Sequence, residues 1–134
     1  MSGLKRRAIV LFIMLFIAAI HILPIGSYLQ GELFNFYSGY FSDITMPFGA
    51  YFLLCAAELQ MPVFRRWGIK LTAAFLLPAI AETCQYAGIP LLGATFDPLD
   101  YFMYGIGTAS AAFFDTQVFS RVFDFWGVQE TAKK

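Results

Sequence analysis

Charged residues are what this chain most conspicuously lacks. They make up 13% of its 134 residues, against about 25% in an ordinary soluble domain, while apolar residues reach 59%. A soluble domain this small has too much surface for its volume to hide so many apolar groups, so most of the chain is expected to meet an apolar solvent. Basic runs are equally scarce. The longest is Lys5-Arg6-Arg7 and the formal net charge is zero, which leaves no electrostatic footprint for nucleic acid. Only two cysteines occur, Cys55 and Cys84. Both lie in apolar segments without C-x-x-C or other ligand spacing, which argues against a disulfide framework or a metal site. They read as small buried hydrophobes. Nucleophile elbow, glycine-rich phosphate loop and H-E-x-x-H are all missing, so no catalytic motif marks an enzyme. General acid–base work by carboxylates is open but not indicated. Without repeats or a low-complexity linker, residues 1–134 form one domain.

What the chain has instead is long apolar stretches. A bilayer core of about 30 Å asks for about 20 apolar residues per helix. Four segments are expected to span it, at about residues 8–29, 45–59, 69–89 and 99–118. The first follows a basic start, as a signal peptide would, but its apolar stretch is long enough to span and no small-x-small cleavage site follows, so it reads as an uncleaved span. The basic residues sort completely. Lys5, Arg6 and Arg7 precede span one; Arg65, Arg66 and Lys70 lie between spans two and three; Arg121, Lys133 and Lys134 follow span four. The remaining loops, 30–44 and 90–98, hold none. By the positive-inside rule both termini face the cytoplasm of a bacterial inner membrane. The expected fold is therefore all-α: a polytopic four-helix bundle in the membrane. Aromatic residues of the first outer loop suit the headgroup zone, where they could form a short interfacial helix. Residues 116–127 read as a C-terminal amphipathic helix on the cytoplasmic interface, with Phe119, Phe123 and Trp126 on its apolar face.

Ionisable groups inside spans are costly and mark function by default. Glu82 and Gln85 share one face of span three at i, i+3 spacing; holding the bundle together by hydrogen bonds is the plainer reading, and a ligand, proton or cation role the sharper one. Asp97, with Pro98 after it, has the form of a helix N-cap, and Asp100 suits the positive helix end. The pair also heads a stripe of Asp97, Asp100, Tyr104, Gly107 and Ala111 at alternating spacings of three and four. Gly105 adds to the small surface that lets helices approach closely. Asp43 reads as the N-cap of span two, with Pro47 in its first turn. Topology puts Asp43, Glu82, Gln85, Asp97 and Asp100 at one outer face, where converging carboxylates raise one another's pKa or bind a cation. His21, deep in span one, reads as a neutral side chain bonded to a neighbour, or as a haem or chlorophyll ligand. No other cofactor is implied. Glu58, Arg65 and Arg66 read as interface-solvated ions.

The order of these residues resembles the VanZ-like membrane proteins. The matching pattern is Glu82-x-x-Gln85, Asp97-x-x-Asp100, Tyr104 and Gly107, with Asp43 and Tyr51 standing where that family has an early Asp and an aromatic. It covers about residues 40–115. The resemblance implies four spans and an outer-face site formed by Asp43, Glu82, Gln85, Asp97, Asp100 and Tyr104. One branch of the family is associated with teicoplanin resistance, which implies action near cell-wall precursors. The chain departs from the pattern at Ala94 and Pro47, where many members carry Arg and His, and at Tyr104, where Asn is commonest; loss of the Arg and His weakens the case for an anionic ligand there. The expected function is an acidic pocket for a lipid headgroup, a cation or an envelope precursor. The alternatives are an accessory subunit beside other membrane subunits of a respiratory or photosynthetic complex, and an enzyme on a lipid-linked substrate.

Overall fold

The computed structural model describes residues 2–89, 91 and 96–127, and shows four principal helices. Helix α1 covers Ser2–Ile22, α2 Glu32–Ala57, α3 Trp67–Tyr86 and α4 Pro98–Phe113. Among the described residues there is no strand. Ala94, Lys133 and Lys134, named above, lie outside them.

Helix boundaries follow the local chemistry. α1 stops just before Pro24, whose ring and missing N–H oppose continuation, and a 3-10 turn, Ile25–Tyr28, follows. Gly31, at φ +63, then reverses the chain into α2; a side chain is disfavoured at that φ. α2 is the longest helix, with 26 residues, about 39 Å at 1.5 Å per residue. It absorbs the aromatic segment expected to lie as a separate helix in the outer loop. Pro47 therefore sits inside α2 rather than in its first turn. Asp43 is not an N-cap but a mid-helix residue, one turn before the proline, whose missing N–H leaves the Asp43 carbonyl without its helical donor.

Ion pairs and side-chain bonds fix an up-and-down topology. Arg6 at the start of α1 meets Glu58 just past α2, and Lys70 near the start of α3 meets both Glu58 and Asp115 beyond α4. At the other end Glu82, late in α3, bonds the backbone that opens α4. α1 packs along α2, while α2, α3 and α4 pack on one another, α2 against α4 most extensively. Gly107 makes that closest approach. A Cβ there would lie 2.2 Å from the Ile44 carbonyl oxygen and 2.9 Å from Pro47 Cγ, so the small residue in the stripe lets the two backbones touch. Ala111 is fully buried beneath it. Gly105 has open space around its Cβ position, so it does not belong to this packing surface.

Beyond Phe113 the helix widens into a π turn, Phe114–Phe119, and ends after one further α turn at Val122. The amphipathic helix expected over 116–127 does not form as a separate surface element. Residues 124–126 turn back and Trp126 enters the core at 1% exposure, its ring edge-on to Phe119 at 4.8 Å and to Phe52 at 6.2 Å.

Among the described residues no helix is long and apolar enough to cross a membrane. The physical reason lies in what each helix carries. α1 includes Lys5, Arg6 and Arg7 and is cut short before Pro24; α2 is long enough but carries Glu32, Asn35, Ser38, Ser42, Asp43 and Thr45 up to its middle; α3 contains Lys70 and Glu82; α4 has only 16 residues before the π turn.

Candidate functional site

The bundle gathers ionisable groups at both ends. At one end, the start of α4 meets the middle of α2 and the last turns of α3. Asp97 has the extended backbone of an N-cap, and its Oδ1 accepts from Leu99 N–H at 2.9 Å, with Pro98 at the first helical position. Its own N–H donates to Glu82 Oε1 at 2.9 Å. Glu82, 3% exposed, takes a longer bond from Tyr104 Oη at 3.4 Å through Oε2. Tyr40 Oη, on α2, donates to Asp97 Oδ2 at 3.2 Å. Asp43 and Asp100 face each other across α2 and α4 within hydrogen-bonding reach.

Five of the six residues expected to form the outer site, Asp43, Glu82, Asp97, Asp100 and Tyr104, are thus brought together. Gln85 is half-buried on the next turn of α3. Tyr40 was not anticipated; its place eight helical residues after Glu32 became meaningful only once α2 was continuous through the aromatic segment. Asp43 stands just before the segment expected to enter the membrane. Partial burial pushes its carboxyl above the ordinary range; a hydrogen bond with Asp100 opposes this, and the Glu82 and Asp97 charges add to the rise. Among the described residues no Lys or Arg lies at this end. Beside it opens a cleft of about 560 Å³ lined by Glu32, Asn35, Phe36, Gly39, Tyr40, Asp97 and Asp100.

The opposite end holds a second cluster that sequence reasoning missed. Lys70, 2% exposed, donates to Glu58 Oε1 and Asp115 Oδ2, both at 2.5 Å, and lies 3.3 Å from Cys55 Sγ. Arg6 donates to the same Glu58 oxygen at 2.7 Å and stacks over Trp126 at 4.9 Å. Asp115 is saturated further by Tyr51 Oη and Trp126 Nε1, each at 2.7 Å. Glu58 is therefore not an interface-solvated ion: it is 3% exposed and shared by two cations. Cys55, Glu58 and Asp115 bring one potential ligand atom each within 4.8 Å of one another, and the Lys70 ammonium sits among them as the positive charge. Cys55 is a buried free thiol, as expected, whereas Cys84 is only half-buried.

His21 is exposed, with both ring nitrogens engaged. Nδ1 donates to the Ile17 carbonyl at 2.8 Å, and Nε2 is within hydrogen-bonding distance of Ser42 Oγ at 3.2 Å and Thr45 Oγ1 at 3.4 Å. The ring thus ties α1 to α2 by polar bonds.

Compared with known protein families, curated proteins and solved structures, the chain matches none.

Proposed function

We propose that the chain is a membrane-embedded, VanZ-like four-helix bundle whose acidic end binds a cationic group, the ammonium of a lipid headgroup or of an envelope precursor. The observation that carries this reading is the cleft beside Asp97 and Asp100. It combines carboxylates having no basic partner among the described residues with the rings of Phe36 and Tyr40. Carboxylates and aromatic faces together are the chemistry that recognises an ammonium ion.

A bilayer setting is supported by the outer surface. Leu11, Phe12, Leu15 and Phe16 on α1, Leu76, Leu77 and Ile80 on α3, and Phe102 and Phe113 on α4 are all exposed, large apolar side chains of the kind that mark a lipid or protein contact when they gather on one surface. The residues that lower the hydropathy of α3 point inward, Lys70 and Glu82 being 2% and 3% exposed. Charges buried in a bundle do not meet lipid, so a helix can be too polar by average composition and still present an apolar face. Basic residues at one end and acidic residues at the other fit an orientation with the acidic cleft outside.

The test is lipid retention by native mass spectrometry of the detergent-purified chain. Wild type is expected to retain phosphatidylethanolamine in preference to phosphatidylglycerol, and the pair Asp97→Asn with Asp100→Asn to abolish that preference. Asn keeps the helix cap at position 97, so the variant tests charge rather than folding. Equal retention of both lipids by wild type, or an unchanged preference in the variant, sinks the reading.

A further inference from the structure

We propose that the cavity at the basic end of the bundle is a binding site for a phosphate-type anion, separate from the acidic cleft and independent of it. The cavity measures about 580 Å³, and its walls include Arg6, Arg65, Lys70, Thr116 and Ser120, with Trp67 and Trp126. Glu58 and Asp115 also line it, but their charge is spoken for. Arg6 and Lys70 neutralise them one for one, and Asp115 is further saturated by Tyr51 and Trp126. Arg65 is left over. It is exposed, it faces the same cavity, and it forms no ion pair among the described residues.

The second observation is a donor without an acceptor. Arg6 is 4% exposed, and its Nε–H is buried with no hydrogen-bond partner among the described residues. A buried charged donor left unmet is costly, and the guanidinium fork is shaped to present Nε–H and a terminal N–H together to two oxygens of one oxyanion. Here only a terminal nitrogen is used, by Glu58. A phosphate oxygen entering from the Arg65 side would supply the missing acceptor and take the uncompensated Arg65 charge. Thr116 and Ser120 line the same cavity; both hydroxyls now donate within their own helix, to Ala112 and Thr116 carbonyls, and keep acceptor capacity that a protonated phosphate oxygen can use. An ammonium ligand is excluded by the net positive balance. The phosphate could be that of a lipid headgroup, since the exposed Trp67 ring at the rim suits the headgroup level, or a free phosphate from the aqueous side.

Calorimetric titration of the full chain in a non-ionic detergent separates these sources. One arm uses inorganic phosphate, the other a short-chain phosphatidic acid below its micellar concentration. Binding of inorganic phosphate identifies a free anion, and binding of phosphatidic acid alone identifies a headgroup; either supports the site. Arg65→Gln is exposed and expected to fold normally, and should weaken binding about tenfold, the loss of one charge-assisted hydrogen bond. Arg66→Gln removes the same charge from the next residue, outside the cavity, and should change binding less than about twofold at moderate salt, where exposed charges are screened. Arg6→Lys keeps the charge, loses the Nε–H and should weaken binding as Arg65→Gln does. The proposal is overturned if neither probe binds, if Arg65→Gln binds like wild type, or if Arg65→Gln and Arg66→Gln lose binding equally, which would mean diffuse attraction rather than a site.

Discussion

The two ends of this bundle solve the problem of buried charge in opposite ways. At the basic end two cations and two carboxylates are taken almost wholly out of contact with solvent and matched against each other, with a phenol, an indole and a thiol filling the shell. At the acidic end the carboxylates have no cation among the described residues. They are held by two backbone N–H groups and two phenols, with Asp43 and Asp100 set against each other. Matched charge is a closed system: removing one member leaves another stranded. Unmatched carboxylates are open to whatever cation arrives. The difference makes the two ends respond differently to substitution.

The sharpest way to break the comparison is Lys70→Met. The side chain is close in length, yet among the described residues Asp115 loses its only cation and Glu58 keeps only Arg6. Breaking a buried pair by deleting one partner costs about 3–5 kcal/mol. Unfolding of the purified chain in mixed micelles should show a loss of that order; a loss under about 1 kcal/mol would mean that water or detergent already compensates the network.

Between the ends, Gly107→Ala tests whether α2 and α4 are joined by backbone contact. A new Cβ would collide with the Ile44 carbonyl and Pro47, and overpacking of this kind costs about 1–3 kcal/mol. Gly105→Ala, in open space on the same helix, should be neutral or slightly stabilising, since Ala favours helix over Gly. Equal effects at the two positions would remove the close approach from the account.

Glu82→Gln probes the acidic end with the smallest change of shape. The new amide oxygen still accepts from Asp97 N–H, and the NH₂ can donate to Tyr104 Oη. The expected cost is about 1 kcal/mol or less, the scale of one neutral hydrogen bond. A loss as large as that for Lys70→Met would show that Glu82 is as tightly matched as Glu58, and the contrast between the ends would fail.

Which end was legible in the sequence follows from the same contrast. The acidic site could be placed because topology brings its members to one face and because local signals exist: Asp97 before Pro98 is a cap, and Tyr104, Gly107 and Ala111 keep helical spacing with it. The four helices were legible from the apolar stretches. The basic-end network was not, because its members are isolated in sequence. Lys70 and Asp115 are 45 residues apart, Asp115 belongs to no motif, and Glu58 and Arg6 look like ordinary flanking charges. Only packing shows that they are buried. The same holds for Trp126, whose helical spacing with Phe119 suggested a surface helix, whereas the turn after Val122 carries it into the core. Pro47 misled in the other direction: read as a helix start, it hid the continuity of α2 and made Asp43 look like a cap.

The smallest expected effect lies at Asp43, and pH reveals it better than a single stability value. Burial holds its carboxyl above the ordinary range in the folded state. A carboxyl raised in this way favours folding fully only below its unfolded pKa of about 3.9. As pH rises from there toward the folded pKa, the unfolded chain ionises first, and the contribution is lost. Other carboxyls titrate over the same range, so the wild-type curve alone does not isolate this effect. The difference between wild type and Asp43→Asn does. Asn cannot ionise, and its NH₂ can donate to Asp100, which keeps the contact between the two helices. Relative to wild type, the variant should therefore gain stability as pH rises from about 4 and level off once Asp43 is ionised in both states. Parallel stability curves across that range would show that Asp43 is as well solvated as a free carboxylate.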